Sequence, residues 1–222
     1  MKALVLGGKG GIGSAVSDRL RQVGHEVLAV GRDDFDLTNT SQIGSFFENH
    51  GRNFDLLIHS GGYNVPKNFA ALTDEEIRIS IDSNLLGFLD VVRSCCPHWQ
   101  ARQYGRVVVL SSLYGFLGRR GRLPYVMSKH ALNGAVKTLA IELAPSGVLV
   151  NSVSPGYIAT ALTYRNNSAS DLDKITSSIP VGRMGEPTEI AKVVEFLCSD
   201  LNTYINGQDI VVDGGYSIGG FM

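Results

Sequence analysis

The chain has 222 residues, a formal net charge of −1, and 44% hydrophobic against 18% charged residues. This length fits one large α/β domain, residues 1–222, built around a single buried core. The hydrophobic content excludes an intrinsically disordered chain, and the near-zero charge argues against a nucleic-acid-binding surface. Twenty-six glycines without a collagen-like period indicate tight turns in a folded protein.

The cysteines and the N-terminal sequence bear on the compartment. Cys95, Cys96 and Cys198 form no CxxC pair, so neither a disulfide framework nor a metal site is predicted. The first apolar run breaks at glycines after Leu6, which is too early for a signal peptide, and no run of about 18 apolar residues occurs. We therefore expect a soluble cytoplasmic protein that has no membrane partner.

Six short apolar runs alternate with segments of helical period. The runs lie at residues 3–6, 27–30, 56–58, 107–110, 148–153 and 210–212, and the helical segments at 13–23, 41–50, 73–101, 124–143 and 188–197. Apolar runs without alternation are typical of parallel strands that are covered on both faces. The pattern predicts a single-domain α/β fold of the Rossmann type, a doubly wound parallel sheet.

The connection after the second run is unusually short. Only a few residues separate Val30 from the segment 35–37, which is too little chain for a helix. If residues 35–37 form a strand, a bare loop joins the second and third strands. We therefore expect the crossover helix between strands 2 and 3 to be missing.

A glycine-rich stretch, GGKGGIG at residues 7–13, follows the first strand and opens the first helix. A helix N-terminus offers free N–H groups and a positive dipole end, and glycines let the backbone approach a pyrophosphate. Two registers fit, Gly8-x-Gly10-x-x-Gly13 and Gly7-x-x-x-Gly11-x-Gly13. The stretch indicates dinucleotide binding; the alternative is a turn that only packs the helix on the strand.

The residues after the second strand bear on which dinucleotide is bound. A carboxylate at this strand end would hold the ribose diol of NAD, whereas a guanidinium would accept the 2′-phosphate of NADP. Here Gly31 ends the strand and Arg32 follows it. We favour NADP, with Lys9 as a second cation. The alternative is a solvated Arg32 neutralised by Asp33 or Asp34, with one of these aspartates on the ribose.

Tyr125 and Lys129 are four residues apart on a predicted helix and share one face, where an ammonium can lower the pKa of a phenol. This spacing alone is weak evidence for a site, because it often occurs by chance in chains of this composition. The stronger evidence is where the pair lies in the chain. The pair follows Ser111 and Ser112, at the end of a predicted strand. In an open parallel sheet the ligand crevice lies at the carboxyl ends of the strands.

Over nearly the whole chain, these motifs resemble those of the short-chain dehydrogenase/reductase family, and the stretch 179–187 resembles its 3-oxoacyl-acyl-carrier-protein reductases. The resemblance implies reversible hydride transfer between NADP(H) or NAD(H) and the carbonyl or alcohol carbon of a small molecule. It implies a catalytic centre of Asn84, Ser112, Tyr125 and Lys129. The implied cofactor-binding residues are Gly7, Lys9, Gly11, Ile12, Gly13, Arg32, Asp36, Leu37, Ser60, Gly61, Tyr125, Lys129, Pro155, Gly156, Ile158 and Thr160.

The resemblance also implies a role for each catalytic residue. Tyr125 is the general acid and base, and Lys129 lowers its pKa and binds the nicotinamide ribose. Ser112 hydrogen-bonds the reacting oxygen, and Asn84 orients a water beside Lys129. The sequence departs from the family at Leu6, where threonine is usual, and at residues 59–62, where HSGG replaces NNAG. We interpret the histidine of this stretch as structural because it lies in an apolar run.

Two segments, residues 113–123 and 157–183, correspond to the family's substrate pocket. Residues 164–170 are polar and aperiodic, as is typical of a mobile lid. Arg119, Arg120 and Arg122 lie in the first segment. We interpret them as solvated surface; the alternative is that they attract an acidic substrate.

A few surface positions bear on the substrate, and two long predicted helices bear on the oligomeric state. The family's carrier-protein reductases place basic residues where this chain has Gln103 and Ser146, although Arg102 is close by. We therefore expect a free ketone or alcohol substrate, with a 3-oxoacyl-carrier reductase as the alternative and a non-catalytic NADP sensor as a rival class. The long helices at 73–101 and 124–143 resemble those that pair subunits in this family, and we expect a homotetramer or homodimer.

Overall fold

The apolar runs form one parallel sheet in the computed structural model, which describes residues 1–219. Its strands are β1 (Lys2–Leu6), β2 (Glu26–Val30), β3 (Leu56–His59), β4 (Gly105–Leu110), β5 (Val148–Pro155) and β6 (Asp209–Val212). The order is β2-β1-β3-β4-β5-β6, and every neighbouring pair is parallel. The predicted Rossmann-type α/β class is confirmed.

Helices cover both faces of the sheet. They are α1 (Gly11–Gln22), α2 (Thr40–His50), α3 (Asp74–Ile81), α4 (Gly87–Arg102), α5 (Leu123–Leu143), α6 (Ala161–Arg165), α7 (Ala169–Ser177), α8 (Pro187–Cys198) and α9 (Tyr216–Gly219). Helices α1 and α8 bury one apolar cluster against the sheet, and α2, α4 and α5 bury the other. In the described part of the chain, no helix has the length and apolar character that crossing a membrane requires.

Two predicted segments differ in detail. The helix expected at 73–101 consists of α3 and α4 joined by a π-helical turn, Asp82–Leu86. The polar stretch 164–170, expected to be irregular, contains the end of α6 and the start of α7. Thr160 and Ser168 cap these helices by accepting hydrogen bonds from backbone N–H groups in the first turns.

The prediction that the β2–β3 crossover helix is missing is wrong. There is no helix between Val30 and Phe35, as expected, but residues 35–37 form a loop instead of a strand. The Asp36 carboxylate accepts hydrogen bonds from the backbone and hydroxyl of Thr38, and Phe35 packs on Phe46 with ring centroids 4.6 Å apart. These local bonds favour a turn over a sheet ladder, so α2 is itself the crossover.

The topology brings the candidate residues to one edge of the sheet. The glycine-rich stretch follows β1, Ser60 follows β3, and Ser112 follows β4, while Pro155 ends β5. Parallel strands that share an edge at their carboxyl ends form the crevice in which ligands of this fold bind.

Candidate active site

The glycine-rich stretch makes a tight turn that only small residues permit. Gly7 has a φ of +72°, and a Cβ there would lie 2.6 Å from the backbone nitrogen of Gly61. A Cβ on Gly13 would collide with the carbonyl of Gly7. Gly11 opens helix α1 and faces Thr160, whose methyl would lie 3.0 Å from a Cβ at position 11. Gly8 is restricted as well, because a Cβ there would lie 2.8 Å from the carbonyl oxygen of Val5, so both registers contain glycines that are sterically required.

Two cavities flank this turn and fit the two halves of a dinucleotide. One, of about 130 Å³, is lined by Gly7, Arg32, Leu37 and Gly61 among others. The other, of about 180 Å³, is lined by Ile12, Ser112, Tyr125 and the segment 155–160. The free N–H groups of α1 start between them, and no acidic residue lies in the first turn of that helix. The described residues therefore fit a pyrophosphate at the turn and a base at either end.

Some predicted cofactor residues have other contacts. Asp36 does not line the first cavity; its carboxylate bonds to Thr38, whose backbone N–H holds the pKa of Asp36 below its usual value. Lys9 is paired with Asp34 at 2.7 Å. The backbone of Ser60 donates to the carbonyl of Leu6 and ties β3 to β1.

Ser112 and Tyr125 meet at the second cavity. Tyr125 lies in the first turn of α5, and Ser112 caps the short turn after β4 by accepting from the N–H of Tyr114 at 3.1 Å. Burial raises the pKa of Tyr125, while a hydrogen bond with the Ser112 side chain and the charge of Arg122 lower it. The phenol is therefore protonated at neutral pH and can donate a proton to a ligand oxygen.

Lys129 lies one turn farther along α5, and its side chain is 2% exposed. Its Nζ lies 5.5 Å from the centroid of the Tyr125 ring and donates to the carbonyl of Leu110 at 2.7 Å. Burial lowers the pKa of Lys129 to about 8. The ammonium is therefore charged at neutral pH, beneath the phenol and at the end of β4.

Asn84 is connected to this group through Ser128. Its Nδ2 donates to the hydroxyl of Ser128 at 2.8 Å, and that hydroxyl donates to the carbonyl of Tyr125. Its Oδ1 accepts from the N–H of Tyr63 at 2.6 Å. The structure thus brings Asn84 near Lys129, with its side-chain amide already engaged by protein groups.

His59 lies against the carbonyl group of Asn84, which belongs to the π-helical turn. Its Nε2 lies 3.0 Å from the carbonyl oxygen of Asn84, and its ring stacks on Phe88 with centroids 4.9 Å apart. Complete burial, reinforced by the charge of Lys129, lowers the pKa of His59 to about 3. The ring is therefore neutral and donates from Nε2 to Asn84. This bond uses one of the two lone pairs of the Asn84 carbonyl oxygen.

The far wall of the second cavity contains residues from both predicted pocket segments, 113–123 and 157–183, together with Asn64, which was not predicted. Tyr114 and Tyr157 lie 3.0 Å apart at their hydroxyls, and Asn64 comes from the loop after β3. The interpretation of the arginines as solvated surface fits Arg120, which does not line this cavity. It does not fit the half-buried Arg122, which does. The two segments were predicted, but no motif marks the individual residues within them or Asn64, because three separate loops form this wall.

Comparison with known proteins extends these observations. A family model described as enoyl-(acyl carrier protein) reductase matches residues 14–217. The 3-oxoacyl-[acyl-carrier-protein] reductase of Aquifex aeolicus is 33% identical over 96% of each chain. A putative NAD(P)-dependent gluconate 5-dehydrogenase from Beutenbergia cavernae, solved with NADP bound at low occupancy, has a TM-score of 0.93 and 30% identity over 97% of this chain and 96% of that one.

A second solved structure has the same overall fold but a different bound cofactor. It is a 4-hydroxyisoleucine dehydrogenase complexed with NADH, with a TM-score of 0.93 and 27% identity over 98% of this chain and 99% of that one. The fold, the glycine turn and the serine, tyrosine and lysine at one sheet edge define a Rossmann-type nicotinamide oxidoreductase. The chain belongs to the short-chain dehydrogenase/reductase family.

Proposed function

We propose that this protein is an NADP-preferring oxidoreductase that interconverts a carbonyl and an alcohol on a free small molecule. The observation that carries the proposal is that Ser112 and Tyr125 line one cavity, with the Nζ of Lys129 behind them at 5.5 Å from the centroid of the Tyr125 ring. The same cavity is lined by Pro155, Gly156, Ile158 and Thr160. In this proposal residues 1–222 form one domain for both cofactor binding and catalysis. The three free cysteines favour a cytoplasmic location.

In the proposed reaction the hydroxyl group of Tyr125 supplies the proton. A bound nicotinamide supplies the hydride in reduction and accepts it in oxidation. The Tyr125 hydroxyl donates its proton to the carbonyl oxygen in reduction, and Ser112 donates a hydrogen bond that stabilises the charge on that oxygen. Lys129 holds a positive charge beneath the phenol and favours its ionised form. Asn84 keeps α5 and the loop after β3 in place through Ser128 and Tyr63.

The preference for NADP rests on Arg32. Its side chain is 71% exposed, and its ion pair with Asp36 is long at 3.5 Å, so the guanidinium is free to turn toward a 2′-phosphate. Lys9 adds a second cation, although Asp34 holds it. The same Asp34 accepts from the N–H of Gly31 at 2.6 Å, so both of its carboxylate oxygens already have partners within the protein.

Replacing Arg32 tests this preference. We expect wild-type protein to bind NADPH roughly tenfold more tightly than NADH, about 1.4 kcal/mol, because an exposed charge-assisted contact is partly screened. Arg32→Ala should remove most of this difference, and Arg21→Ala, on the exposed face of α1, should not. Fluorescence titration with both reduced cofactors measures the four affinities. Tighter NADH binding by the wild type would mean that an aspartate reads the ribose.

A free substrate is favoured over a carrier-bound one by the surface around Gln103 and Ser146. Neither side chain is cationic, and the nearby Arg102 lies 3.5 Å from Asp55, which offsets its charge. A docking surface for an acidic carrier protein needs uncompensated cations. The 33% identity with a carrier-protein reductase keeps that activity as the second candidate.

A direct comparison of substrates tests this choice. We expect kcat/KM for an acetoacetyl group to be similar on acyl carrier protein and on a short thiol, because no carrier contact contributes. The matched variant Gln103→Lys/Ser146→Arg should gain a carrier preference that salt weakens. A panel of free ketones, keto acids and secondary alcohols with NADPH or NADP belongs in the same assay. A strong, salt-sensitive carrier preference in the wild type would establish the carrier-protein reductase instead.

The proposal includes a homotetramer or a homodimer. Helix α5 extends over 21 residues, and Met127 and Ile141 on it are 44% and 76% exposed. Apolar side chains exposed on one long helix favour burial against a second subunit. Light scattering of the purified protein distinguishes a monomer from either assembly.

A further inference from the structure

The cavity that contains Ser112 and Tyr125 is positively charged. Two arginines, Arg119 and Arg122, line it, and its described lining includes no aspartate or glutamate. Both come from the loop between β4 and α5, which also leads into Tyr125. A cavity with one sign of charge concentrates ligands of the opposite sign.

Arg122 is the more deeply placed of the two. It is half-buried, and its Nη1 donates to Oδ1 of Asn64 at 2.9 Å, a neutral acceptor. Among the ion pairs of residues 1–219 none involves Arg122, whereas Arg19, Arg93 and Arg183 each pair with a carboxylate. Burial lowers the pKa of Arg122, but a guanidinium remains charged at neutral pH. A half-buried cation with one neutral partner has N–H groups left for an anion.

The surroundings of Arg122 also suit an anion. The hydroxyls of Tyr114 and Tyr157 lie close enough to raise the pKa of Arg122. They are hydrogen-bonded to each other at 3.0 Å, so at most one of them has its hydrogen left to donate to an anion. The charge of Arg119 lowers the pKa of Asp171, whose carboxylate accepts from the Ser168 hydroxyl in capping α7. Asp171 acts on Arg119, so the uncompensated charge is mainly that of Arg122.

We propose that Arg122 binds a carboxylate of the substrate, which makes the substrate a hydroxy acid or keto acid whose reacting oxygen lies at Tyr125. The inference rests on the proposed function, because it assigns a substrate class to the same cavity. One half-buried guanidinium carries one positive charge. It therefore matches the single negative charge of a carboxylate better than the charge of a phosphate monoester, which is about −2. Arg119, exposed at the cavity edge, attracts the acid before Arg122 binds it.

Binding measurements with matched acids and neutral analogues test the proposal without requiring turnover. The pairs are acetoacetate with its methyl ester, D-gluconate with sorbitol, and 4-oxopentanoate with 2-hexanone; dihydroxyacetone phosphate with dihydroxyacetone forms the phosphate arm. Calorimetric titration into NADP-loaded protein should show at least one acid binding tenfold or more tightly than its partner. Added salt should reduce that preference. Arg122→Gln should abolish it, and Arg122→Lys should restore part of it.

Arg120→Gln is the control, because Arg120 lies beside Arg122 in sequence and outside this cavity, so the acid preference should not change. If no acid binds more tightly than its neutral partner, or if Arg122→Gln keeps the preference, the proposal is wrong. Tight binding in the phosphate arm alone would overturn the carboxylate assignment. If acids bind through Arg122 but no compound is turned over, the proposed reaction is wrong and the anion site stands. If neutral ketones are turned over but no acid binds more tightly than its neutral partner, the proposed reaction stands and the carboxylate site is wrong.

Discussion

Tyr125→Phe should reduce kcat about a thousandfold while changing the Kd for NADPH by less than about twofold. The substitution removes only the proton-donating hydroxyl, and general acid catalysis of this kind contributes about 10² to 10⁴ in rate. The remaining ring keeps its edge contact with Tyr114, whose centroid lies 6.4 Å away, so the cavity keeps its shape. Steady-state kinetics on a substrate identified from the panel, with fluorescence titration of NADPH, give the two numbers.

Tyr104→Phe is a matched control for this substitution. It also removes a phenolic hydroxyl, but that hydroxyl bonds to Asp200 at 3.2 Å and lies outside the cavity. The control should keep wild-type kcat. Wild-type turnover by the Tyr125→Phe protein would show that another group donates the proton, and the assignment of Tyr125 would be wrong.

Much of the fold could be predicted because buried parallel strands leave a simple pattern. Each of the six apolar runs became a strand, with ends shifted by two residues at most. The error at residues 35–37 arose because Phe35 is buried, as a strand residue would be, while its neighbour Asp36 bonds locally to Thr38. Such turn chemistry depends on one side chain and carries no period, so the apolar pattern does not reveal it.

The candidate site was predictable where its residues follow strands or share a helix face. Ser112, Tyr125 and Lys129 meet because a strand end and one helical turn place them together. The bond from His59 to Asn84 was not predictable, because its acceptor is a backbone carbonyl within a π-helical turn, which no sequence pattern marks. Arg122 looked like one member of an exposed charge run, and only the packing of its loop distinguishes it from Arg120.

Lys129→Met should reduce kcat at least a hundredfold and weaken NADPH binding about tenfold, because the proposal gives one ammonium two roles. Methionine nearly preserves the volume of the buried lysine stem, so the change mainly removes the charge and the bond to Leu110. Lys137→Met, on an exposed position of the same helix, is the matched control and should bind and turn over like the wild type.

The pH dependence of cofactor binding separates the charge of Lys129 from its packing. Because burial lowers the pKa of Lys129 to about 8, its ammonium is fully present below that pH and is lost as the pH rises through it. The Kd for NADPH of the wild type should therefore increase across pH 8, and the Lys129→Met protein, which has no charge to lose, should show a flat profile at the weaker level. A wild-type profile that is flat through pH 8 would mean that the ammonium of Lys129 does not hold the cofactor, and so would a variant that keeps the wild-type slope. In either case Lys129 would contribute to turnover through Tyr125 alone.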